Sequence, residues 1–462
     1  MGNATDVLVH GWVSSSADRG SIDILWSCCI TIILCCWVSV YPNAGSPTDK
    51  WYHPFSDKFN LFCISLLGPD FLFGIAFGQF SSARRSIKLF NEGQILENGF
   101  KWTYTHAFFV DMGGIHLTSP DYPDGFPINA QQLHYLILHG HIDIPNWKDM
   151  DISERNSADI LSRLITVFQA FWFCVSEIQR VRKGLPITTL ELTTISFTLV
   201  MFATSVTWHF KPSITQPRFI TTKNSRTVQE IRQYMETHTH PMLPTHWYRT
   251  PLEIIGEDHF GINVHWSYYT RLAEVLRIRL FSRPVKSRPW NRFPSDTWLC
   301  PDFIYSPVAI CVLLGFSGLF LIAWNFHFPT YTEKILWRVC SLYHALFSVY
   351  GGVYFFVEMI RSRRRSSESH QHLNRSNALS AYQPREDLKS GTLMGSLAAW
   401  RNISADGDPG MAVSLRVIIP VSIMCFIYIL ARGYIYVEDF ISLRVQPSGV
   451  YIGVNKFIPF LG

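Results

Sequence analysis

Apolar side chains are gathered into long blocks along the chain, and polar segments separate these blocks. A membrane-spanning helix needs about 20 predominantly apolar residues. Seven blocks reach that length, and only a helix satisfies its own backbone groups inside lipid, so all seven predict transmembrane helices. They occupy residues 23–41, 59–80, 160–179, 190–210, 303–325, 335–359 and 415–437. The pattern therefore predicts an all-α, polytopic helical bundle that forms one membrane domain over residues 1–462.

A shorter apolar block at residues 103–117 has two interpretations, since it carries Asp111 and two histidines. It is either an eighth, a re-entrant or a half-buried segment that lines a cavity, or an amphipathic helix at the membrane surface. Two long polar segments lie elsewhere. Residues 211–301 are basic and Pro-rich, which predicts a partly structured loop, whereas residues 361–412 are rich in Ser, Asn and Arg, which predicts a disordered linker.

Composition agrees with a membrane protein that has long polar loops. Charged residues make up 16% of the chain and aromatic residues 15%, while the mean hydropathy is only +0.11. This combination disfavours a soluble enzyme, a disordered protein and a fibre. The net charge of +5 is too small and too dispersed for a nucleic-acid partner. No Cys-x-x-Cys pair occurs, and neither a P-loop nor a Gly-x-Gly-x-x-Gly motif stands at a useful position, so we expect neither a metal site nor a cofactor.

An acid at membrane depth is the first candidate for chemistry. Asp70 lies near the middle of the second predicted span, directly after Pro69. A carboxylate at the centre of a spanning helix costs about 2.5–3.5 kcal/mol, so it needs a partner, a water-filled cavity or a role. Pro69 removes a backbone donor, which predicts a kink and a freed carbonyl beside the acid. The structural alternative is an acid paired with another helix.

Four further acids are weaker candidates for the proton donor or for groups that orient it. Asp111 lies in the ambiguous block, and Asp23 opens the first span, where a headgroup position or a helix N-terminal role is the alternative. Glu177 precedes Arg180 by three residues, which favours an ion pair, and Glu191 begins a polar stripe that can join helices. Aromatic side chains are candidates for lining a substrate cavity: Trp26, Phe73, Phe77, Phe108, Phe109 and Phe173.

Two signals disagree about the orientation in the membrane. The count of Lys and Arg near span ends favours a cytosolic N-terminus, on the same side as Arg84, Arg85, Lys88 and the basic run 361–365. Three glycosylation sequons favour the opposite orientation. They begin at Asn3, Asn374 and Asn402. Because sequons often occur by chance, the charge count is preferred.

Short blocks between residues 11 and 444 resemble one fungal family and cover most of the chain except the two long polar segments. They include Gly11-Trp12-Val13, Asp18-Arg19-Gly20-Ser21-Ile22-Asp23, Gly68-Pro69-Asp70, His106-Ala107-Phe108-Phe109-Val110-Asp111, Gly184-Leu185-Pro186, Phe328-Pro329-Thr330 and Glu438-Asp439-Phe440. The chain is similar in these blocks to the membrane-bound ascI-type terpene cyclases of fungal meroterpenoid biosynthesis. It departs from the family pattern in having no residue between Asp18 and Arg19, and Asp rather than the frequent Glu at position 70.

The resemblance implies an integral membrane terpene cyclase of fungal secondary metabolism. Such an enzyme protonates and cyclises the farnesyl chain, epoxidised or not, of a meroterpenoid intermediate. No diphosphate leaves, which fits the absence of an Asp-Asp-x-x-Asp motif. The expected partners are membrane lipid, a prenylated small molecule and other membrane enzymes of the pathway, in a multi-pass protein of the endoplasmic reticulum. The alternatives are an exporter that uses the buried acids as proton relays, and a seven-span receptor or scaffold.

Overall fold

The computed structural model describes most of the chain, and the structural statements below concern the described residues. These are residues 7–14, 19–93, 100–145, 157–213, 216–238, 246–256, 260–278, 282–372, 400–404 and 408–453.

Helices dominate the described structure. In chain order they are α1 (Ser21–Val38), α2 (His53–Leu67), α3 (Pro69–Glu92), α4 (Tyr104–Asp111), α5 (Ala130–Leu138), α6 (Ser157–Arg182), α7 (Thr189–Thr207), α8 (Val228–His238), α9 (Gly261–Val275), α10 (Ser306–Ile322), α11 (Tyr331–His372) and α12 (Leu415–Ile441). The prediction of a helical protein is therefore confirmed.

Two small sheets correct the expectation of an all-α fold. The strands are β1 (Leu8–His10), β2 (Ile115–Ser119), β3 (Tyr122–Pro127), β4 (Arg218–Thr221) and β5 (Val445–Pro447). β1 pairs antiparallel with β5, with Val9 opposite Gln446. β2 pairs antiparallel with β3 and parallel with β4, which gives the order β3-β2-β4. The pairing of β1 with β5 brings the two ends of the described chain together.

Five helical stretches are long and apolar enough to cross a membrane. They are Ser21–Val38, Thr189–Thr207, Ser306–Asn325, Tyr331–Arg364 and Leu415–Arg444. Five of the seven predicted spans thus have a counterpart, and the two at 59–80 and 160–179 do not meet the same criterion. Large apolar side chains cover the outward faces of these stretches, as a lipid-facing surface requires. Examples are Trp26, Ile33, Phe202, Val308, Val353, Phe426 and Ile429.

The span predicted at 59–80 is divided between two helices. α2 ends at Leu67 and α3 begins at Pro69, so the predicted kink is a complete break at Gly68. The two helices return to the same part of the molecule. Ser295 receives a hydrogen bond from Gln79 of α3 on its carbonyl, and its hydroxyl bonds to Asn43, which follows α1. Arg283, which lies near Ser295 in the structure, pairs with Asp57 near the start of α2.

Residues 103–117 are not one continuous helix. They contain α4 and the first part of β2, whose partner β4 comes about 100 residues later. Ile115 and Leu117 are buried in the core between these elements. Residues 211–301 are partly structured, as predicted, since they contain β4, α8 and α9. The linker prediction at 361–412 lies largely outside the described residues, although α11 continues to His372.

The bundle has two ends, which we name by what gathers there. The terminal end carries β1 and β5, and the loop end carries the segments around Asn43 and Ser295. α7 connects them, because Thr189 at its start contacts Ser442 with the hydroxyl oxygens 3.0 Å apart, whereas Lys211 beyond its end donates to the Tyr41 carbonyl at 2.8 Å. α1, α10, α11 and α12 also run between the two ends.

Candidate functional site

The break between α2 and α3 places an acid inside the bundle. Gly68 has a non-helical backbone with φ −154° and ψ 81°, and Pro69 occupies the first turn of α3. A Cβ at position 68 would lie 2.4 Å from Cδ2 of Phe71, so the close turn requires glycine. Asp70 follows in the first turn of α3, a position where the helix dipole favours negative charge. Its side chain is buried.

Asp70 has a direct hydrogen-bond partner on the last helix. The hydroxyl of Tyr428 on α12 is buried and lies 3.2 Å and 3.3 Å from the two carboxyl oxygens of Asp70. Rings from two helices pack against Tyr428, with centroid distances of 4.7 Å to His344 and 4.6 Å to Phe347 on α11 and 5.6 Å to Phe71 on α3. This arrangement orients the carboxyl group and surrounds it with ring surfaces.

Further aromatic rings extend from Asp70 along α3. Phe71 lies 5.6 Å from Trp266 of α9, and Trp266 lies 6.2 Å from Trp298, measured between ring centroids. Trp298 packs directly on the backbone of α3 one turn after Asp70, because position 74 is glycine. A Cβ on Gly74 would lie 2.0 Å from Cη2 of Trp298.

A buried arginine lies one turn after Tyr428 on α12. The Nε of Arg432 donates to the Tyr436 hydroxyl at 2.9 Å, and that hydroxyl donates to the Leu66 carbonyl at 2.8 Å. The Leu66 carbonyl belongs to the last turn of α2, where the helix ends before it can supply a backbone donor. The helix break at Gly68, rather than the missing donor of Pro69, leaves the Leu66 carbonyl to Tyr436.

Four rings surround the guanidinium of Arg432. Its Cζ lies 4.8–5.2 Å from the ring centroids of Phe197, Phe316, Phe320 and Tyr436. Both terminal nitrogens of Arg432 lack a hydrogen-bond partner among the described residues, and so do both ring nitrogens of His344. We call Asp70, Tyr428, Arg432, Tyr436 and His344 the polar centre.

Most of the polar centre escaped the sequence analysis, which identified only Asp70. The sequence nevertheless contains a pattern that indicates the other residues on α12. Arg432 is a charge in the interior of the block 415–437, and Tyr428 and Tyr436 stand four residues on either side of it. That spacing puts all three on one helix face.

The other candidate acids lie elsewhere and have structural partners. Asp23 accepts from the Gly20 backbone N–H at 2.8 Å and so caps α1, as the helix-terminal alternative predicted. Asp111 accepts from Ser82 at 2.8 Å and from the backbone N–H of Ala130 at 3.0 Å. Burial raises the pKa of Asp111, although these hydrogen bonds oppose the rise. Among the described contacts, neither acid touches the polar centre.

Glu177 and Glu191 belong to an ion-pair cluster at the terminal end. Arg19 pairs with Glu191 and lies 3.8 Å from Glu177, and Arg180 lies 3.7 Å from Glu177. The predicted pair of Glu177 with Arg180 is therefore confirmed, but it is buried rather than superficial. Arg180 also donates to the Val450 carbonyl at 2.8 Å. The cluster fastens the segment before α1 and the segment after β5 to the bundle.

The six predicted lining residues do not meet at one cavity. Trp26 is 67% exposed on the outer surface of α1, so its assignment as a lining residue is wrong. Phe173 packs in a separate cluster with Ile24 and Cys28. The other four are buried in the main core, where Phe73 and Phe77 pack together on α3 with centroids 6.0 Å apart, and Phe108 and Phe109 lie in α4.

Two further sequence-based predictions concern metal ions and glycosylation. Among the described residues, no group of His, Cys, Asp and Glu is placed to hold a metal ion. Of the three sequons, Asn402 is described, and its side-chain amide donates to the Asp408 carbonyl at 2.8 Å. Asn3 and Asn374 lie outside the described residues.

Comparison with known proteins places the chain in a family without an assigned function. The sequence model of a family of unknown function, DUF8562, matches residues 1–233, so the chain belongs to this family. No curated protein and no solved structure matches the chain. The matched region contains Asp70 but ends before Tyr428 and Arg432.

Proposed function

We propose that this member of the DUF8562 family is an integral membrane terpene cyclase that protonates and cyclises the prenyl chain of a meroterpenoid intermediate. The observation that carries the proposal is the buried carboxyl group of Asp70, held by Tyr428 at a helix break and flanked by aromatic rings. Asp70 is the proton donor in this proposal, and Tyr428 orients it.

The membrane arrangement that we propose has six crossings. α1, α6, α7, α10, α11 and α12 cross once each, and α2 and α3 enter from the loop end and return to it. The contacts of Asp57 and Gln79 with one loop-end segment support the re-entrant pair. An even number of crossings follows from the pairing of β1 with β5, since paired strands lie on one side of the membrane. We therefore replace the seven predicted crossings by six.

α6 is included because its outward face is apolar and its end meets the terminal end. Phe168 and Phe171 are 57% and 62% exposed, which suits contact with lipid tails. Arg180 binds carbonyls of the segment after β5. A multi-pass arrangement of this kind suits a membrane of the endoplasmic reticulum, where enzymes of a lipid-soluble substrate meet it in the bilayer.

The reaction balances without a leaving group. The carboxyl group of Asp70 transfers its proton to a terminal alkene carbon, or to an epoxide oxygen whose C–O bond breaks as the O–H bond forms. The resulting carbocation is attacked by the next alkene, which closes a C–C bond. Loss of a proton from carbon to the Asp70 carboxylate ends the sequence and restores the acid. The product is an isomer of the substrate.

The side chains near Asp70 suit the charges that this sequence develops. Tyr428 donates a hydrogen bond to the carboxylate that is left after proton transfer. The ring faces of Phe71, Tyr428 and Trp266 attract a cation and exclude water from it. Asp70 lies in the first turn of α3, where the dipole also stabilises the carboxylate.

The experiment uses the full chain in yeast microsomes with farnesylated aromatic substrates that carry a terminal epoxide or alkene. We expect a product of unchanged mass and altered chromatographic retention. Asp70→Asn removes the proton donor at nearly constant size, so we expect a rate at least about 100-fold lower. The matched control is Asp302→Asn, an acid outside the polar centre that pairs with Arg84.

Two results would contradict the proposal. Full activity of Asp70→Asn removes that residue from the role of proton donor. Unchanged substrate that accumulates inside sealed vesicles, with no isomer formed, favours the exporter, because an exporter moves its substrate without altering it.

A further inference from the structure

The polar centre contains a charged group whose hydrogen-bonding capacity is largely unused. Arg432 is 3% exposed, and its two terminal nitrogens have no acceptor among the described residues. A buried guanidinium without acceptors costs several kcal/mol relative to a satisfied one. The ring faces compensate part of the charge but supply no acceptor to the two terminal nitrogens. An acceptor from outside the protein would satisfy these two nitrogens.

The remaining edge of the guanidinium defines what that acceptor is. Nε is already bonded to Tyr436, which leaves the edge formed by the two terminal nitrogens. Parallel N–H groups on an arginine match the two oxygens of a carboxylate, and they bind it more strongly than a neutral acceptor. His344 lies beside the same helix face, since its ring contacts Tyr428, and it offers one further donor or acceptor.

The nearby acids do not take this role. No carboxylate of the described residues lies within ion-pair distance of Arg432, although Asp70 and Asp439 are close enough to interact with its charge. Asp439 is seven residues further along α12, which is about 10 Å along the helix axis. Asp70 has to carry a proton to act as the acid, so it cannot also be the counter-ion.

We propose that Arg432, assisted by His344, binds a carboxylate on the polar head of a prenylated substrate. This inference rests on the proposed function for the prenyl chain and adds the class of head group. Arg432 lies one turn from Tyr428, so a head group bound there leaves the attached chain close to Asp70 and its rings. The surrounding rings of Phe197, Phe316 and Phe320 exclude molecules that are polar throughout.

Binding to the purified full chain in lipid nanodiscs tests the proposal without requiring turnover. The probes are a farnesylated benzoic acid and its methyl ester, which differ only in the ionised group. Because a charge-assisted bidentate pair contributes about 1.5–3 kcal/mol, we expect the wild-type protein to bind the acid at least about tenfold more tightly than the ester. Equal binding of acid and ester to the wild-type protein overturns the proposal.

Variants assign the preference to a residue. Arg432→Gln removes the charge, so we expect the acid and the ester to bind equally. Arg338→Gln is the matched control, because Arg338 also lies on a long apolar helix and over a ring, that of Trp324, but outside the polar centre. A preference that survives Arg432→Gln overturns the assignment. Should Arg432→Gln fail to fold, His344→Gln and the acid-to-ester ratio of the wild-type protein still test the site.

Two additional measurements separate the possible explanations. Competition by palmitate distinguishes a carboxylate site for ordinary fatty acids from one that requires a prenylated head group. Displacement of the acid by equimolar palmitate contradicts the proposed substrate class.

Cyclisation in the microsomal assay is scored independently of binding. Isomer formation without an acid preference removes the Arg432 subsite and leaves the cyclase, whereas an Arg432-dependent preference without isomer formation removes the cyclase and leaves the subsite.

Discussion

The hydroxyl of Tyr436 donates a 2.8 Å hydrogen bond to the carbonyl of Leu66, and these two residues are 370 positions apart in the chain. The bond joins the last turn of α2 to α12 at the point where α2 ends. The same hydroxyl accepts from Nε of Arg432. One tyrosine hydroxyl thus supplies the donor that the last turn of α2 lacks and also holds Arg432 of the polar centre in place.

Removal of this hydroxyl should destabilise the helix break. In Tyr436→Phe the Leu66 carbonyl and Nε of Arg432 each lose a buried partner, so we expect a loss of about 1–3 kcal/mol in the free energy of unfolding. A lower apparent Tm of the detergent-purified protein measures the effect. Tyr331→Phe is the control, since Tyr331 is 78% exposed. Equal stability of the two variants would show that the Leu66 contact has no energetic role.

A methyl group on Gly74 should displace Trp298. Its Cβ would lie 2.0 Å from Cη2 of the indole, so Gly74→Ala forces the ring away from α3 and from the surroundings of Asp70. We expect a loss of about 1–3 kcal/mol in stability and a slower cyclisation. Gly433→Ala is the matched control, because its Cβ meets no atom within 4 Å and alanine favours a helix. Similar melting temperatures for both variants would contradict the close packing of Trp298 on α3.

The six-crossing arrangement predicts that the sequons lie on opposite sides of the membrane. Asn3 precedes β1 at the terminal end by too few residues to cross, whereas Asn374 and Asn402 lie between α11 and α12 on the loop side. The basic run 361–365 and Arg84 are on that loop side too, since Ser362 contacts Cys300 and Arg84 pairs with Asp302. Because cytosolic loops are basic, we propose for the six-crossing arrangement the reverse of the sequence-based orientation, with a lumenal N-terminus.

Glycosylation mapping in a cell that attaches N-glycans checks this orientation. We expect a glycosidase-sensitive band that disappears in Asn3→Gln and persists in Asn374→Gln and Asn402→Gln. A glycan on Asn374 or Asn402 alone reverses the orientation. Glycans on both Asn3 and Asn374, or on both Asn3 and Asn402, would contradict the six-crossing arrangement.

The stability should depend on pH through Asp296, which lies in the loop-end segment next to Trp298. Burial raises the pKa of Asp296 from 3.8 to about 6, although hydrogen bonds such as that from Ser282 oppose the rise. Between these values the unfolded chain releases a proton that the folded chain retains. The contribution of this group to stability is therefore full below pH 3.8 and is lost as the pH rises through about 6.

Asp296→Asn tests this linkage, because asparagine is uncharged at every pH. The variant should be more stable than the wild-type protein at pH 8, by up to about 3 kcal/mol, and this advantage should vanish near pH 4. Thermal unfolding across that range measures the difference. Asp124→Asn, at an exposed position of β3, is the control. An advantage that does not change between pH 4 and pH 8 would remove the proton linkage.

Sequence pattern alone determined the features of this protein that are local in the chain. The apolar blocks predicted helices, five of which have the length and composition to span a membrane. Pro69 beside Asp70 predicted a kink in the helix, since a missing backbone donor acts within one turn. The sequence also predicted the helix-terminal role of Asp23 and the Glu177–Arg180 pair, because each contact joins residues that are three positions apart.

Only the tertiary structure decided which distant groups meet. The apolar pattern of 59–80 does not distinguish a crossing helix from two helices that enter and return. Residues 115–117 became part of a sheet because β4, about 100 residues later, supplied a parallel partner. Tyr428 reaches Asp70 from more than 350 residues away. Hydrophobic periodicity reports which face of one segment is buried, whereas the identity of the group across from that face depends on how separate segments pack.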